Sequence, residues 1–234
     1  MMANGRLYGI GVGPGDPELL TLKALRLLRS CPVVAYQSAE DKESIARGIV
    51  AQYLPGNQIE VKYHLPRALD PHAAQPVYDQ VVTPIAEHLT AGRDVVVLCE
   101  GDPLFYGSFM YVFTRLSDQF ETEVVPGVSS PMGCASALGV PLSYRNDIFS
   151  VLPATLPAEV LEAQLLNADA AAIIKLQRHF TKVFDALYKL GLASRAHYIE
   201  RGTMANQRTI PLDEVNPAQV PYFSMVLVPS KSHL

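Results

Sequence analysis

Three segments of this 234-residue chain share one pattern: an apolar stretch, a turn that contains glycine, and a segment with helix signals. The turns are GVGPGD at 11–16, EGDP at 100–103 and PGVSS at 126–130. The stretch before the second turn, 95–99, is apolar throughout, which is typical of a strand buried on both faces. Repeated strand, turn and helix units predict an open, mostly parallel sheet whose ligand cleft follows the carboxyl ends of the strands.

The first turn does not have the spacing of a nucleotide loop. Its glycines alternate at positions 9, 11, 13 and 15, and Pro14 stands where a dinucleotide fingerprint needs its third glycine. A phosphate-binding P-loop is excluded as well, since no Gly-Lys-Ser/Thr follows. The glycines therefore indicate either a tight turn or a site for another kind of ligand.

The other two turns allow a structural and a functional interpretation. Asp102 precedes Pro103, so its carboxylate either caps a helix or faces a cationic or hydroxylated ligand. Ser129 and Ser130 either cap the next helix or direct their hydroxyls into the same cleft. In the first turn, Asp16 followed by Pro17 predicts the start of a helix that continues to about Ser30.

The segment PLSYRND at 141–147 is the expected boundary between two α/β domains, residues 1–143 and 144–234. Before it, a polar, proline-rich stretch around 55–76 precedes a helix expected from about Val77 to Thr90. Beyond it, strands near 148–152, 196–200, 207–212 and 222–228 and helices near 157–166 and 180–190 predict a mixed sheet. The ligand is expected in the crevice between the two domains.

Composition excludes several classes of function. The net charge of −4 provides no general attraction for nucleic acid, and no apolar run approaches the roughly 18 residues of a membrane span. Cys31, Cys99 and Cys134 are far apart, which favours a reducing compartment, so the cytoplasm is the expected location. The histidines show no metal-ligand spacing, and no protein-bound metal is expected. No G-x-S-x-G elbow is present, so covalent catalysis is disfavoured.

The segments YGIGVGPGDPELLTLKALRLLRSCPVVAY, EGDPLFYGSFMYV and VVPGVSS, in this order and spacing, resemble the tetrapyrrole methylases. These are the class III S-adenosylmethionine-dependent methyltransferases. The resemblance is specific from 7 to about 145 and weaker beyond. Many members carry Gly-Gly-Asp-Pro where this chain has Glu100 before Gly101. EGDPLFYGSF instead resembles the branch that methylates C-20 of precorrin-2, or of its cobalt-bearing form, in cobalamin biosynthesis.

The resemblance implies a five-stranded parallel sheet in the first domain, a mixed sheet in the second, and S-adenosylmethionine in the crevice between them. Members of the family are usually homodimers. The cofactor contacts that the resemblance implies are Pro14, Gly101, Asp102, Phe105, Ser129 and Ser130 in the first part of the chain and Leu176, Gly202 and Thr203 in the second.

The implied reaction is methyl transfer to a nucleophilic meso carbon of a reduced tetrapyrrole, followed by loss of the meso proton. The candidates to receive that proton are Tyr106, Glu100 and Asp102. Because the substrate carries many carboxylates, a net-negative protein must gather positive charge locally. The candidates for this are Arg67, Arg115, Arg145, Lys175 and Arg178.

Two other functions stay open on the sequence alone. A sister methylase would act on another ring carbon, on a modified histidine of a translation factor, or on ribosomal RNA. The absence of a basic surplus argues against RNA, and the continuation FYGS at 105–108 argues for the C-20 branch. The remaining alternative is a non-catalytic module that binds an anionic small molecule.

Overall fold

The computed structural model describes residues 3–38, 43–64 and 75–231, with no side-chain description for 75–77. The chain divides into two compact units, Met1–Ser129 and Ser130–Leu234. Within the described residues, no helix is both long and apolar enough to cross a bilayer.

The first unit is built on a five-stranded sheet in which every neighbouring pair is parallel. The strands in chain order are β1 (Leu7–Gly11), β2 (Val33–Gln37), β3 (Ile59–Tyr63), β4 (Val95–Cys99) and β5 (Thr122–Val125). They are arranged β3-β2-β4-β1-β5, so β1 lies between β4 and β5. Both β1 and β4 are buried along their whole length, as expected for central strands covered on both faces.

Among the described residues of this unit, the helices are α1 (Leu22–Ser30), α2 (Ile45–Val50), α3 (Gln75–Thr90) and α4 (Phe109–Leu116). One face of the sheet packs against apolar residues of α3 and α4, and the other against α1 and α2. The predicted helix start at Asp16 is confirmed, because its carboxylate caps a short 3-10 turn at Pro17–Leu19. The predicted continuity to Ser30 is wrong: Leu20 is extended, and α1 begins anew behind Thr21, whose hydroxyl accepts from Ala24 N at 3.1 Å.

The second unit has a mixed sheet. Its strands are β6 (Phe149–Pro153), β7 (Ala170–Ile174), β8 (His197–Glu200), β9 (Arg208–Ile210) and β10 (Ser224–Val228), in the order β6-β7-β10-β8-β9. Only β6 and β7 pair in parallel, and the other pairs are antiparallel. The helices are α5 (Ser130–Leu138), α6 (Ala158–Asn167) and α7 (Phe180–Lys189). A parallel sheet followed by a mixed sheet confirms the expected fold class.

The division between the units precedes α5, whereas the sequence suggested a boundary after residue 143. Cys134 and Ala135 of α5 and the following Leu142 form one apolar cluster with residues of β7, β8 and β10, including Ala172 and Leu227. Ser230 N also donates to Leu142 O at 2.8 Å. Helix α5 therefore packs as part of the second unit, and PLSYRND is a loop inside that unit.

Candidate active site

The three glycine turns meet at one edge of the parallel sheet. They follow β1, β4 and β5, which are adjacent and parallel, so their carboxyl ends share an edge. Gly101 N donates to Gly13 O at 2.8 Å and Gly13 N donates to Gly101 O at 3.3 Å, which ties the first turn to the second. The sequence treated these turns as three parts of one site, and the structure brings them together.

The approach of the turns is close enough to exclude side chains. A Cβ atom on Gly127 would lie 2.2 Å from Gly101 O, and a Cβ atom on Gly11 would lie 2.5 Å from the same oxygen. Both distances are shorter than real Cβ contacts, so backbone must meet backbone here. The edge therefore presents main-chain groups rather than long side chains.

Asp102 joins the second turn to the third. Its Oδ1 atom accepts from Leu104 N at 2.9 Å, and its Oδ2 atom accepts from Gly127 N at 3.1 Å. A carboxylate that accepts from two amides holds a loop conformation strongly. The predicted capping role of Asp102 is therefore performed by Oδ1. The contact of Oδ2 with Gly127 N was not predicted from the sequence.

Glu100 follows β4 directly as the first residue of the second turn, and it contacts α2. Its Oε1 atom accepts from Ala46 N, in the first turn of α2, at 3.2 Å. Burial raises the pKa of Glu100, and the Ala46 amide opposes that rise only in part. No cationic side chain in the described part of the chain contributes to the shift. Glu100 is therefore a carboxyl whose affinity for a proton is increased at the edge where the glycine turns meet.

Phe105 and Tyr106 are exposed on the loop between β4 and α4. Their relative exposures are 37% and 46%, and their rings meet edge to face with centroids 5.1 Å apart. Tyr106 has φ 55°, a left-handed conformation that is rare for a bulky residue. Such strain concentrates at functional loops, where the surroundings hold it in place.

The remaining predicted contacts of the first turn and the third differ in burial. Pro14 is buried, while Ser129 and Ser130 are half-buried. Ser130 is the first residue of α5 and belongs to the second unit, and Ser129 is the last residue of the first.

In the second unit, residues with positive φ follow β7 and β8, two strands that run in the same direction. Both β7 and β8 run antiparallel to β10 between them, so their carboxyl ends lie at one edge. The residues with positive φ there are Lys175 at 60°, Gln177 at 34°, Arg201 at 49° and Thr203 at 68°. The sequence singled out these loops through Leu176, Gly202 and Thr203, but it gave no signal of their strain.

Leu176 and Gly202 can reach a ligand only through their backbones. The Leu176 side chain is fully buried in the core of the second unit. A Cβ atom on Gly202 would lie 2.3 Å from Cys134 Sγ on α5. Thr203 is half-buried, and its amide donates to Gln207 Oε1 at 2.7 Å.

The predicted cations lie in different surroundings. Arg115, in the last turn of α4, donates from Nε to Asp79 Oδ1 at 2.7 Å and lies 5.1 Å from the ring centre of Tyr78. It lines a groove of about 640 Å³ along α3 and α4, and no turn residue lines that groove. The structure thus places Arg115 apart from the glycine turns. Arg145, Lys175 and Arg178 are exposed, and Arg67 lies outside the described residues.

Two side chains at this edge were missed by the sequence analysis. Tyr63, the last residue of β3, and Ser108, just before α4, carry buried hydroxyls without a hydrogen-bond partner. No sequence signal marks an unpaired hydroxyl, because pairing depends on tertiary packing. Over the described ranges, no group of three or more His, Cys, Asp or Glu is arranged to hold a metal ion.

Solved structures share this architecture. The uroporphyrin-III C-methyl transferase of Thermus thermophilus, crystallised with S-adenyl homocysteine, superposes with a TM-score of 0.70. The two proteins are 26% identical, and the match covers 96% of this chain and 92% of the other. The chain also matches the family model for tetrapyrrole (corrin/porphyrin) methylases over residues 6–216. It belongs to the tetrapyrrole methylase family.

Several curated relatives are named as C(20)-methyltransferases, and others as siroheme synthases. Precorrin-2 C(20)-methyltransferase of Sinorhizobium sp is 40% identical, with 96% of this chain and 95% of the relative covered. Cobalt-precorrin-2 C(20)-methyltransferase of Salmonella typhimurium is 30% identical, with 96% of each covered. Cobalamin biosynthesis protein CobIJ of Mycobacterium tuberculosis is 44% identical over 98% of this chain, but this chain spans only 47% of that relative's length.

Proposed function

We propose that this chain transfers a methyl group from S-adenosylmethionine to C-20 of precorrin-2, or of its cobalt-bearing form, in cobalamin biosynthesis. The observation that carries the proposal is the 40% identity to the Sinorhizobium enzyme over nearly the whole of both chains. The EGDPLFYGSF segment and the glycine-turn edge lie within that match.

The chemistry of the edge fits such a methyl donor. Main-chain groups approach closely at Gly13, Gly101 and Gly127, and the exposed Phe105 adds apolar surface. A bulky sulfonium compound needs this combination more than it needs a phosphate cradle. When bound, the donor supplies the methyl group that forms the new bond to carbon while its own sulfur–methyl bond breaks. The proposed contacts of the chain are Pro14, Gly101, Asp102, Phe105, Ser129, Ser130, Leu176, Gly202 and Thr203.

Of the three candidates for the meso proton, Glu100 is the one that its surroundings favour. Asp102 directs both oxygens at backbone amides, and Tyr106 is an exposed phenol. Glu100 is a carboxyl with a raised pKa in the second turn, and a raised pKa makes a carboxylate a stronger base for accepting a proton. We assign the proton to Glu100, and we assign to Asp102 the task of holding the turns together.

The substrate's carboxylates are proposed to bind exposed cations of the second unit. Arg145, Lys175 and Arg178 are exposed, and the first two have positive φ on loops. Arg115 is engaged by Asp79 and is a weaker candidate.

We also propose a homodimer without nucleic-acid or membrane partners. The three cysteines are free and buried, which supports a reducing, cytoplasmic location.

The test is an assay of the purified chain with methyl-labelled S-adenosylmethionine and either precorrin-2 or cobalt-precorrin-2. We expect one added methyl group by mass spectrometry and a carbon-13 signal at the C-20 meso position. Methylation at another carbon would indicate a sister methylase. Binding of the tetrapyrrole without any turnover would indicate a binding module. If the chain is active, Glu100→Gln should lower the rate of methyl transfer.

A further inference from the structure

Tyr63 and Ser108 stand out among the buried polar side chains. Five buried side-chain atoms in the described ranges have no hydrogen-bond partner: Arg6 Nε, Gln58 Oε1, Tyr63 OH, Ser108 Oγ and Arg195 Nε. The arginines and the glutamine form polar contacts through another atom of the same side chain. Tyr63 and Ser108 have only one polar side-chain atom each, and that atom is unpaired. Unpaired buried hydroxyls are costly and demand an explanation.

The two hydroxyls belong to one cluster. Besides burial, the pKa of Tyr63 responds to Cys99, to Glu100 and to the Ser108 hydroxyl, which lies close enough to lower it in the manner of a hydrogen-bonding neighbour. The two hydroxyls nevertheless do not meet in hydrogen-bond geometry. Burial raises the pKa of Tyr63 far above its usual range, so the phenol keeps its proton and remains a donor. Burial also raises the pKa of the Cys99 thiol to about 11, which keeps it neutral. Glu100, whose pKa is raised by burial, is thus the acidic member of the cluster.

We propose that the Tyr63 and Ser108 hydroxyls bind one buried water molecule, and that this hydrated cluster positions the Glu100 carboxyl for the proton step. Buried waters occur where polar groups are otherwise unsatisfied. The positioning part rests on the proposed function, whereas the water site stands on the unpaired hydroxyls alone. Tyr63 and Ser108 are positioning residues, since they act through Glu100.

The hydrogen bonds of Glu100 leave room for this arrangement. Oε1 accepts from the Ala46 amide, and no side chain in the described part of the chain donates to Oε2. The other titratable groups nearby are already engaged. Arg47 on α2 donates to both oxygens of Glu60 at 2.7 and 2.8 Å, and His64 Nδ1 lies 2.6 Å from Ser38 O. The backbone amides of Glu100 itself and of Ala46 favour the ionised carboxyl, and water held by Tyr63 is proposed to add a further polar contact that favours it.

The kinetic test is the pH profile of kcat in Tyr63→Phe and Ser108→Ala. Glu100 must be ionised to accept a proton, so kcat falls as pH drops below its pKa. Removing a donor disfavours the ionised form and raises that pKa. We expect the acid limb of both variants to move to higher pH, with KM nearly unchanged. Tyr36→Phe is the matched control: it removes a phenol on β2 that is bonded to Glu60 instead, and its limb should stay in place.

The second test measures thermal unfolding and needs no substrate. If water bridges the hydroxyls, each single variant leaves a partner unsatisfied, and its Tm should fall by roughly 2–4 °C. The double variant Tyr63→Phe/Ser108→Ala should then lose less than the sum of the two. A higher Tm in either single variant would mean that no water molecule binds the two hydroxyls. This result would overturn the proposed water site.

The two proposals fail in different ways. A wild-type protein that methylates neither tetrapyrrole would overturn the proposed function. The thermal unfolding of the variants would still test the water site, because that measurement needs no substrate. An active wild type whose pH profile is the same as that of Tyr63→Phe would overturn the positioning of Glu100 and leave the methyl transfer intact.

Discussion

Two carboxylates follow β4, Asp102 and Glu100. Each is held by a backbone amide that is distant in sequence, and these distant neighbours give the two side chains different properties. Asp102 before Pro103 signals a cap, and Oδ1 behaves as one. The bond from Gly127 N to Oδ2 crosses 25 positions of the chain, and no local pattern predicts it. Glu100 and Ala46, whose amide donates to its carboxylate, are 54 positions apart in the chain. No local sequence pattern therefore predicts the burial that raises the pKa of Glu100.

Gly127→Ala tests the close approach of the turns. The added Cβ atom would meet Gly101 O at 2.2 Å, so we expect a loss of about 1–3 kcal/mol in the free energy of unfolding. Gly48→Ala is the control, since a Cβ atom there meets nothing within 4 Å and alanine favours the helix. Urea denaturation measures both. Equal stabilities of the two variants would show that the turns can separate freely.

Secondary-structure elements were predictable where one period dominates and not elsewhere. The buried strand β4 follows from its apolar run, and α7 ends within a residue of its expected limit. Strand β3 was missed although its sequence IEVKY alternates apolar and polar residues, because this short edge strand lies within a segment that was interpreted as polar and proline-rich. The break between the 3-10 turn and α1 depends on the Thr21 cap, which competes with the signal of Asp16 and Pro17.

The Arg47–Glu60 pair, which joins α2 to β3, makes stability depend on pH. Arg47 lowers the pKa of Glu60 to about 2. A lowered pKa stabilises the fold above the unfolded value of about 4.3, and that contribution is lost as pH falls toward 2. The side chains are 38% and 35% exposed, so it should amount to less than about 1 kcal/mol.

Glu60→Gln should therefore lose less free energy of unfolding than the wild type as the pH falls from about 5 to about 2. Urea titrations at several pH values measure the two slopes. If the wild type and the variant lose stability in parallel, the pair contributes nothing to the acid response.

The loop around Arg145 is the element on which substrate charge can be tested. Its turn is closed by Asp147 N donating to Tyr144 O at 2.8 Å, and Arg145 is exposed with φ 41°. We expect Arg145→Ala to raise KM for the tetrapyrrole several-fold with cofactor affinity nearly unchanged. Added salt should also raise KM, because exposed pairs are screened over about 8–10 Å. Arg29→Ala, an exposed arginine at the end of α1, is the control.

Steady-state kinetics at two salt concentrations and calorimetry with the cofactor measure both parts of that prediction. A change in cofactor affinity, or no change in either quantity, would remove Arg145 from the substrate site.

At the scale of the whole molecule, the family and the two sheet types were recoverable from the sequence because the glycine turns are contiguous motifs. The division of the chain was not, because the affiliation of α5 depends on which sheet its small residues contact. Its helix signals are the same whichever unit it joins.

Assembly is the remaining prediction at this scale. The outer face of α4 carries Tyr111, which is 42% exposed and stacks on Tyr78 with ring centroids 4.2 Å apart. We expect this aromatic surface to contribute to a homodimer. Sedimentation equilibrium at micromolar concentration should give about twice the chain mass of 25.6 kDa. A mass of one chain would contradict the dimer.

The packing of α5 has a consequence for recombining members of this family. A hybrid enzyme that takes its glycine turns from one parent and its mixed sheet from another must exchange α5 together with the mixed sheet. A crossover near residue 130 keeps Cys134 and Ala135 with the residues they evolved against. A crossover at PLSYRND would set one parent's Cys134 beneath the other parent's loop at Gly202, where the spacing leaves no room for an added methyl group.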